Sequence, residues 1–366
     1  MNISTTTPSE RADFRASLRN FFEDISPESR VREVIASGSG VDEKVWRGLT
    51  TDLGVSGLLI PEEFGGQGMS MAEMAIALEE AARAIAVVPL LASSVLAPLA
   101  IQLAGDTAAN AELLPVLADG SDIMTVALLD GAGASTVARD ENGWNIYGSK
   151  TAVLNANIAN RILVIATTPK GTGLFLVDAQ ASGVVVTPQN SLDLTRPTSL
   201  VTFEGAAATR IGAEYSEALQ LLNAFGRIAV SAEMLGMSEK LMEISVEYAK
   251  TRVQFGKPIG AFQAIKHRCS EMFAHVESMR AAVEAASLVN PSEKAVLHEQ
   301  ALVVKAYSAR FAPWIAEATI QVHGGIGFTW EHCAHLYLRR VKTDEILFGD
   351  ALACRFQLQQ LLGLIA

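Results

Sequence analysis

The spacing of apolar positions changes twice along this chain. Up to about residue 117 they recur three and four apart. This predicts helices over residues 13–22, 42–53, 71–86, 90–103 and 109–117. Between residues 122 and 204 the period shortens. Segments 124–129, 144–150, 161–166, 173–177, 183–187 and 199–203 are rich in β-branched or apolar residues and are bounded by turn residues, so they predict strands. Glu141-Asn142-Gly143-Trp144 predicts a hairpin, because Asn-Gly supplies two positive-φ positions. From Tyr215 the helical period returns. No proline falls between Pro197 and Pro258. Leu221, Phe225, Ile228, Ala232 and Leu235 share one face of a long helix. Further helices are expected at 261–289, 292–312, 314–322 and 331–362. Long helices with short links make an antiparallel bundle. The expected fold is a multidomain α+β protein. It has an N-terminal helical domain (1–120), a small antiparallel β domain (121–212) and a C-terminal four-helix bundle (213–366). No internal repeat or low-complexity segment interrupts it.

Composition narrows the function classes. The 366 residues are 49% hydrophobic and 19% charged, enough for a substantial core. A net charge of −11 argues against nucleic-acid binding, which needs a basic surface. Cys269, Cys333 and Cys354 form no CxxC pair, and an odd count reads as reduced thiols in a cytoplasmic protein. The polar N-terminus lacks the apolar core of a secretory signal. The most apolar run, 87–103, is interrupted by Pro89, Pro98, Ser93 and Ser94, so it predicts a buried helix rather than a membrane span.

Two motifs carry chemistry. Thr251-Arg252-Val253-Gln254-Phe255-Gly256-Lys257-Pro258 ends one long helix, and Gln263 opens the next. A guanidinium such as Arg252 can take a pyrophosphate bidentately; it can equally complement a helix C-terminus. Gln321-Val322-His323-Gly324-Gly325-Ile326-Gly327-Phe328 ends another helix, where Gly324 and Gly325 can expose backbone N–H groups or merely cap. His332 and His335 would share a helix face, but no second ligand pair completes a metal site, and none is expected.

Together the two motifs resemble the flavin-binding signatures of the acyl-CoA dehydrogenase family. The loop Pro61-Glu62-Glu63-Phe64-Gly65-Gly66 resembles another of its markers. The resemblance implies a three-part fold, FAD as cofactor and α,β-desaturation of an acyl-CoA thioester in fatty-acid or steroid side-chain catabolism. It also implies electron-transfer flavoprotein or a similar acceptor, and an oligomer without nucleic-acid or membrane partners. By the same resemblance, Arg252, Gln254, Phe255, Gln263, Gln321, Gly324 and Gly325 would contact the ADP side of a FAD held by the neighbouring subunit.

Other positions depart from that pattern. The family takes its base, a Glu, from one of two places, which here hold Gly349 and Gly226. Asp350, next to the first, and Glu233, two turns beyond the second, are the substitute candidates. Their plainer roles are a helix N-cap and a paired helix carboxylate. The family's Trp-Ile-Thr/Ser-Asn strand after Gly-x-Lys would pack on the flavin and reach its N5. Here Gly148-Ser149-Lys150 is followed by Thr151-Ala152-Val153-Leu154-Asn155, with Ala152 in the Trp place and Leu154 in the Thr place. The acidic Gly-rich loop is reduced to residues 129–135. Three readings follow. The chain is a subunit of a heteromeric dehydrogenase, whose unlike partner brings the base and the flavin cradle. Alternatively it is a self-sufficient homomer using Asp350 or Glu233, or a non-catalytic binding or scaffold protein.

Overall fold

The computed structural model describes residues 3–132, 135–140 and 143–365. Two compact units emerge. The first comprises residues up to Thr5, Arg32–Met74 and Val87–Gly226; the second comprises Thr6–Val31, Ala75–Ala86 and Arg227 onward.

In the first unit, helices α3 (Glu43–Arg47), α5 (Ala97–Leu103) and α6 (Thr107–Ala118) precede the strands. The apolar run around Pro89 is indeed buried, but it opens as a π-helical turn, Leu90–Leu96, before α5. Asp106 caps α6 by accepting from the amides of Ala108 and Ala109. Eight strands follow: β1 (Met124–Ala127), β2 (Leu129–Asp130), β3 (Val137–Asp140), β4 (Trp144–Leu154), β5 (Arg161–Thr168), β6 (Gly171–Asp178), β7 (Val184–Pro188) and β8 (Thr198–Ile211). Strands β4, β3, β5, β6 and β8 pair in a closed ring, because β8 returns to β4. Inward-facing Ile146, Val164, Phe175, Val201 and Phe203 fill it. The pairing is mostly antiparallel as expected, but β1 and β3 each run parallel to β5, so the sheet is mixed. Strand β3 escaped the sequence reading, because Val-Ala-Arg-Asp carries little β signal. It pairs antiparallel with β4, Asp140 opposite Trp144; Glu141 and Asn142 of the expected hairpin lie outside the described residues.

The second unit is helical. Helix α7 (Ser216–Thr251) runs unbroken from the first unit into the second, as its proline-free sequence predicts. It is followed by α8 (Gln263–Ser287), α9 (Lys294–His323), α10 (Ala334–Ile346) and α11 (Ala351–Leu361). Pro313 was expected to split α9 but is absorbed within it, in a buried stretch of small residues including Ala309 and Ala312. The expected helix 331–362 is broken instead at residues 347–350, where Phe348 and Gly349 both take positive φ. Helix α1 (Pro8–Ile25) opens on a capping box between Thr7 and Glu10. It joins this unit through charge. Arg15 reaches Glu79 at 2.5 Å, and Arg19 takes both Glu80 oxygens, at 2.8 and 2.9 Å. Those carboxylates lie on α4 (Met71–Arg83). Close packing there requires Gly236, whose added Cβ would sit 2.0 Å from the Glu79 carbonyl oxygen. Helix α2 (Glu28–Ser37) was not expected, although Val31 and Val34, three apart on one face of this short charged segment, are buried.

Candidate functional site

The second unit brings the two motif tips together. Past α7, strands β9 (Val253–Gln254) and β10 (Lys257–Pro258) pair antiparallel around Phe255 and Gly256. Both turn residues have positive φ, 55° and 77°, the pattern of a type I′ turn. Phe255 departs from the residue types that adopt this conformation cheaply, and its ring is 91% exposed. The Arg252 amide donates to the Tyr248 carbonyl and its carbonyl accepts from Ile259, which fixes the backbone. Its side chain is exposed and has no hydrogen bond or ion pair among the described residues. Gln254 and Gln263 are also exposed.

At the end of α9, His323 is buried and its Nδ1 donates to the Thr319 carbonyl at 2.8 Å. Its ring stacks on Tyr248 with centroids 4.4 Å apart, and His332 lies against it at 4.3 Å. Burial holds the His323 imidazole below its ordinary pKa, so it serves as a neutral stacking plate. Through the Tyr248–His323 stack the Arg252 turn and the Gln321–Gly325 stretch belong to one surface. Sequence reading named His323 only within its motif and missed Tyr248. The signal was available, since Tyr248 is four residues before Arg252 on the same helix face.

Gln321, Gly324 and Gly325 are exposed. Gly324, at φ 62° and ψ −141°, occupies a conformation that only glycine adopts readily. Gly325 has no positive φ, and a Cβ there would meet nothing within 4 Å. The chain's own packing gives no reason for that glycine. A ligand approaching the backbone from outside would. The His332–His335 pair is dispersed: His332 Nδ1 accepts from the Ala334 amide, while His335 packs on Trp330.

The two candidate bases are placed otherwise. Glu233 is buried and meets Arg340 of α10 at 3.2 Å. Asp350 is the N-cap of α11, accepting from the Ala353 amide at 2.7 Å. Two buried cations hold backbone carbonyls here, Arg227 within residues 347–350 and Lys305 at the end of α10. Arg227 donates Nε to the Phe348 carbonyl at 3.1 Å and Nη2 to Gln357 Oε1 at 2.9 Å. Lys305 Nζ donates to the carbonyls of Asp344 and Glu345, at 2.7 and 2.8 Å. Burial pushes the Lys305 ammonium down to about 8. Neither clamp was legible in sequence, although Lys305 does interrupt an apolar face of α9. Gly349, at φ 98°, has the Cys354 sulfur 3.5 Å from where its Cβ would be.

In the first unit, β4 slips register against β8 between Lys150 and Val153, and Ala152 sits in that bulge at φ 51°. Its amide is taken by Gln189 Oε1 at 3.0 Å, and Gln189 Nε2 donates to Thr151 Oγ1. Leu154 is buried, and its carbonyl accepts from Thr125 Oγ1 at 2.6 Å. Lys150 is buried against Asp130 at 2.7 Å, with Thr136 N also on Asp130. Gly133 and Ala134 of the shortened Gly-rich loop lie outside the described residues. This face offers no large ring and no hydroxyl at the two key strand positions.

Two family models match the chain: "Acyl-CoA dehydrogenase, N-terminal domain" over residues 8–121 and "Acyl-CoA dehydrogenase, C-terminal domain" over residues 217–353. The chain is 33% identical over 324 residues to acyl-CoA dehydrogenase IpdE2 of Mycolicibacterium smegmatis, covering 88% of this chain and 89% of that one. It is 34% identical to IpdE2 of Mycobacterium tuberculosis, covering 92% of each. Among solved structures it is similar to the Tcur3481-Tcur3483 steroid ACAD G363A variant. There the TM-score is 0.89 at 32% identity, over 98% of this chain and 99% of the other. The ChsE4-ChsE5 complex from Mycobacterium tuberculosis matches with TM-score 0.90 at 26% identity, over 99% of each chain.

Proposed function

The chain belongs to the acyl-CoA dehydrogenase family, and from that premise we propose that it works as one of two unlike subunits, lending the ADP-side contacts of FAD to a partner that carries the base. Its class is that of FAD-dependent oxidoreductases acting on a CH–CH bond of an acyl-CoA. One observation carries the proposal. The residues that would serve a neighbour's cofactor stand exposed and uncommitted, while the positions that would serve its own are glycine or closed by the chain itself.

The fit to FAD is therefore one-sided. Arg252 can take a pyrophosphate bidentately. Gln321 can hydrogen-bond, and Gly324 and Gly325 leave the backbone open to a ligand. FAD, when bound, supplies the family's hydride acceptor. The β4 bulge does not fit the flavin ring: Ala152 offers no stacking surface and Leu154 no hydroxyl. In this reading Asp350 and Glu233 are structural, since the first caps a helix and the second is held by Arg340. A proton beside a thioester then waits for the partner's carboxylate.

The similar solved structures support the heteromeric reading, since they include the ChsE4-ChsE5 complex and the Tcur3481-Tcur3483 steroid ACAD. A bulky, steroid-like acyl group is the substrate class we assign by that likeness. We also assign the chain to the cytoplasm, with reduced thiols, and divide it at residues 1–120, 121–212 and 213–366. Among the described residues no helix is long and apolar enough to cross a membrane. The test is the flavin-to-chain ratio and turnover of the chain alone and co-purified with a Glu-bearing acyl-CoA dehydrogenase-like chain. Flavin and activity should appear only in the pair. A fully flavinated, active single chain would overturn the proposal.

A further inference from the structure

A cleft of about 260 Å³ lies wholly within the second unit, away from the motif tips. Phe22, Val31, Ile85, Leu336 and Tyr337 give it an apolar floor, and Lys240 stands on its wall. Most of its charges are already matched. Arg19 takes both Glu80 oxygens, and Arg83 pairs with Glu239 and Glu243. Lys240 differs: its half-buried ammonium has no hydrogen bond or ion pair among the described residues. Glu23, also unpaired, is on the exposed rim, where solvent screens it.

A second observation is independent of the charges. Helix α4 ends on Ala86 N donating to Ala81 O and Ile85 N to Ala82 O, so Ile85 occupies the left-handed stop that glycine usually fills. It does so at φ 47°, a strained conformation for a β-branched side chain, and it is 4% exposed. The chain keeps an isoleucine where a glycine would be relaxed, and its side chain forms part of the cleft floor. Cys333, also lining the cleft, is held as a neutral thiol by burial and by Glu28, which pushes its pKa up to about 12. It adds apolar surface rather than a nucleophile.

We propose that this cleft binds a small amphipathic carboxylate, its apolar body on Ile85, Phe22 and Leu336 and its carboxylate on Lys240. The proposal does not depend on the subunit reading. The experiment is calorimetric titration of the full chain with octanoate, octan-1-ol and octylamine. Octanoate should bind one to one, and more tightly than the alcohol or the amine. Lys240→Gln should weaken octanoate at least about tenfold, the loss of a charged hydrogen bond in a partly buried site, without changing octanol. Ile85→Gly relieves the strained φ while deleting the floor, so it should fold and weaken both ligands. If Ile85→Gly does not fold, Lys240→Gln still decides. Octylamine binding as well as octanoate, no octanoate binding at millimolar concentration, or binding untouched by Lys240→Gln would each overturn it.

Discussion

The surface made by the ends of α7 and α9 and the loop at residues 347–350 lie in the same helical unit, yet they spend their polar groups in opposite ways. At the first, Arg252 and Gln321 are exposed, an aromatic ring is displayed at 91% exposure, and Gly325 answers to no internal need. At the second, the polar groups are spent on the chain's own backbone and ion pairs. Asp350 caps a helix, Arg227 and Lys305 hold backbone carbonyls, and Glu233 is paired. A surface that serves another molecule keeps donors and acceptors free. A loop that spends its polar groups on its own chain offers none to a ligand.

The largest effect expected from this contrast is on turnover. The chain alone should show none above background on acyl-CoA thioesters with an artificial electron acceptor. Asp350→Asn should change nothing in the assembled pair. Were Asp350 the base, removing it would cost about 10²–10⁴-fold in rate, the usual worth of general-base catalysis. A loss of that size in Asp350→Asn would break the comparison at its second term.

Glu233 sharpens the same term through stability. Breaking a buried ion pair by removing one partner costs about 3–5 kcal/mol, because the other charge stays buried. Glu233→Ala should therefore lower the denaturant midpoint by removing the nearer of the two carboxylates at the buried Arg340, which keeps Asp344 at 3.9 Å. A variant that unfolds like the parent but loses activity would identify Glu233 as chemical rather than structural.

Arg252→Ala probes the first term. A desolvated pyrophosphate would lose its bidentate partner, about 1.5–3 kcal/mol for a charged hydrogen bond. Flavin retention in the assembled enzyme should fall accordingly, while the melting of the flavin-free chain should hardly move. Unchanged flavin content would remove Arg252 from the site.

These readings depended unevenly on sequence. The helix–sheet–helix order was legible because apolar period and proline placement are local. The motif tips were legible because their residue types are unusual at helix ends. What was hidden was hidden for physical reasons. Helix α2 is short, and its apolar face is carried by Val31 and Val34 among charged residues, too brief a pattern to stand out. The break before α11 rests on positive φ at Phe348, a residue that does not announce it. The clamp residues meet partners far along the chain: Lys305 reaches 344 and 345, and Arg227 reaches 348 and 357. No local pattern records such contacts.

Lys305 offers the smallest and most specific test of the inward-turned loop. Its ammonium is fully buried, and burial lowers its pKa from 10.5 to about 8. Below about pH 8 both folded and unfolded chains carry the proton, so the cost of burying the charge is present in full. Between about pH 8 and the ordinary value the unfolded chain still binds the proton and the folded one does not. Stability from this group therefore rises with pH across that window, by at most about 1.4 kcal/mol per pH unit. Lys305→Met removes the titration, so this part of the rise should vanish from denaturant midpoints measured between pH 7 and 10. The variant also strips the donor from the carbonyls at the end of α10, so flexibility at residues 347–350, read by amide hydrogen exchange, should increase. If the pH slope persists in Lys305→Met, another group titrates there. If exchange around Phe348 is unaltered, the buried ammonium is not what keeps that loop turned inward.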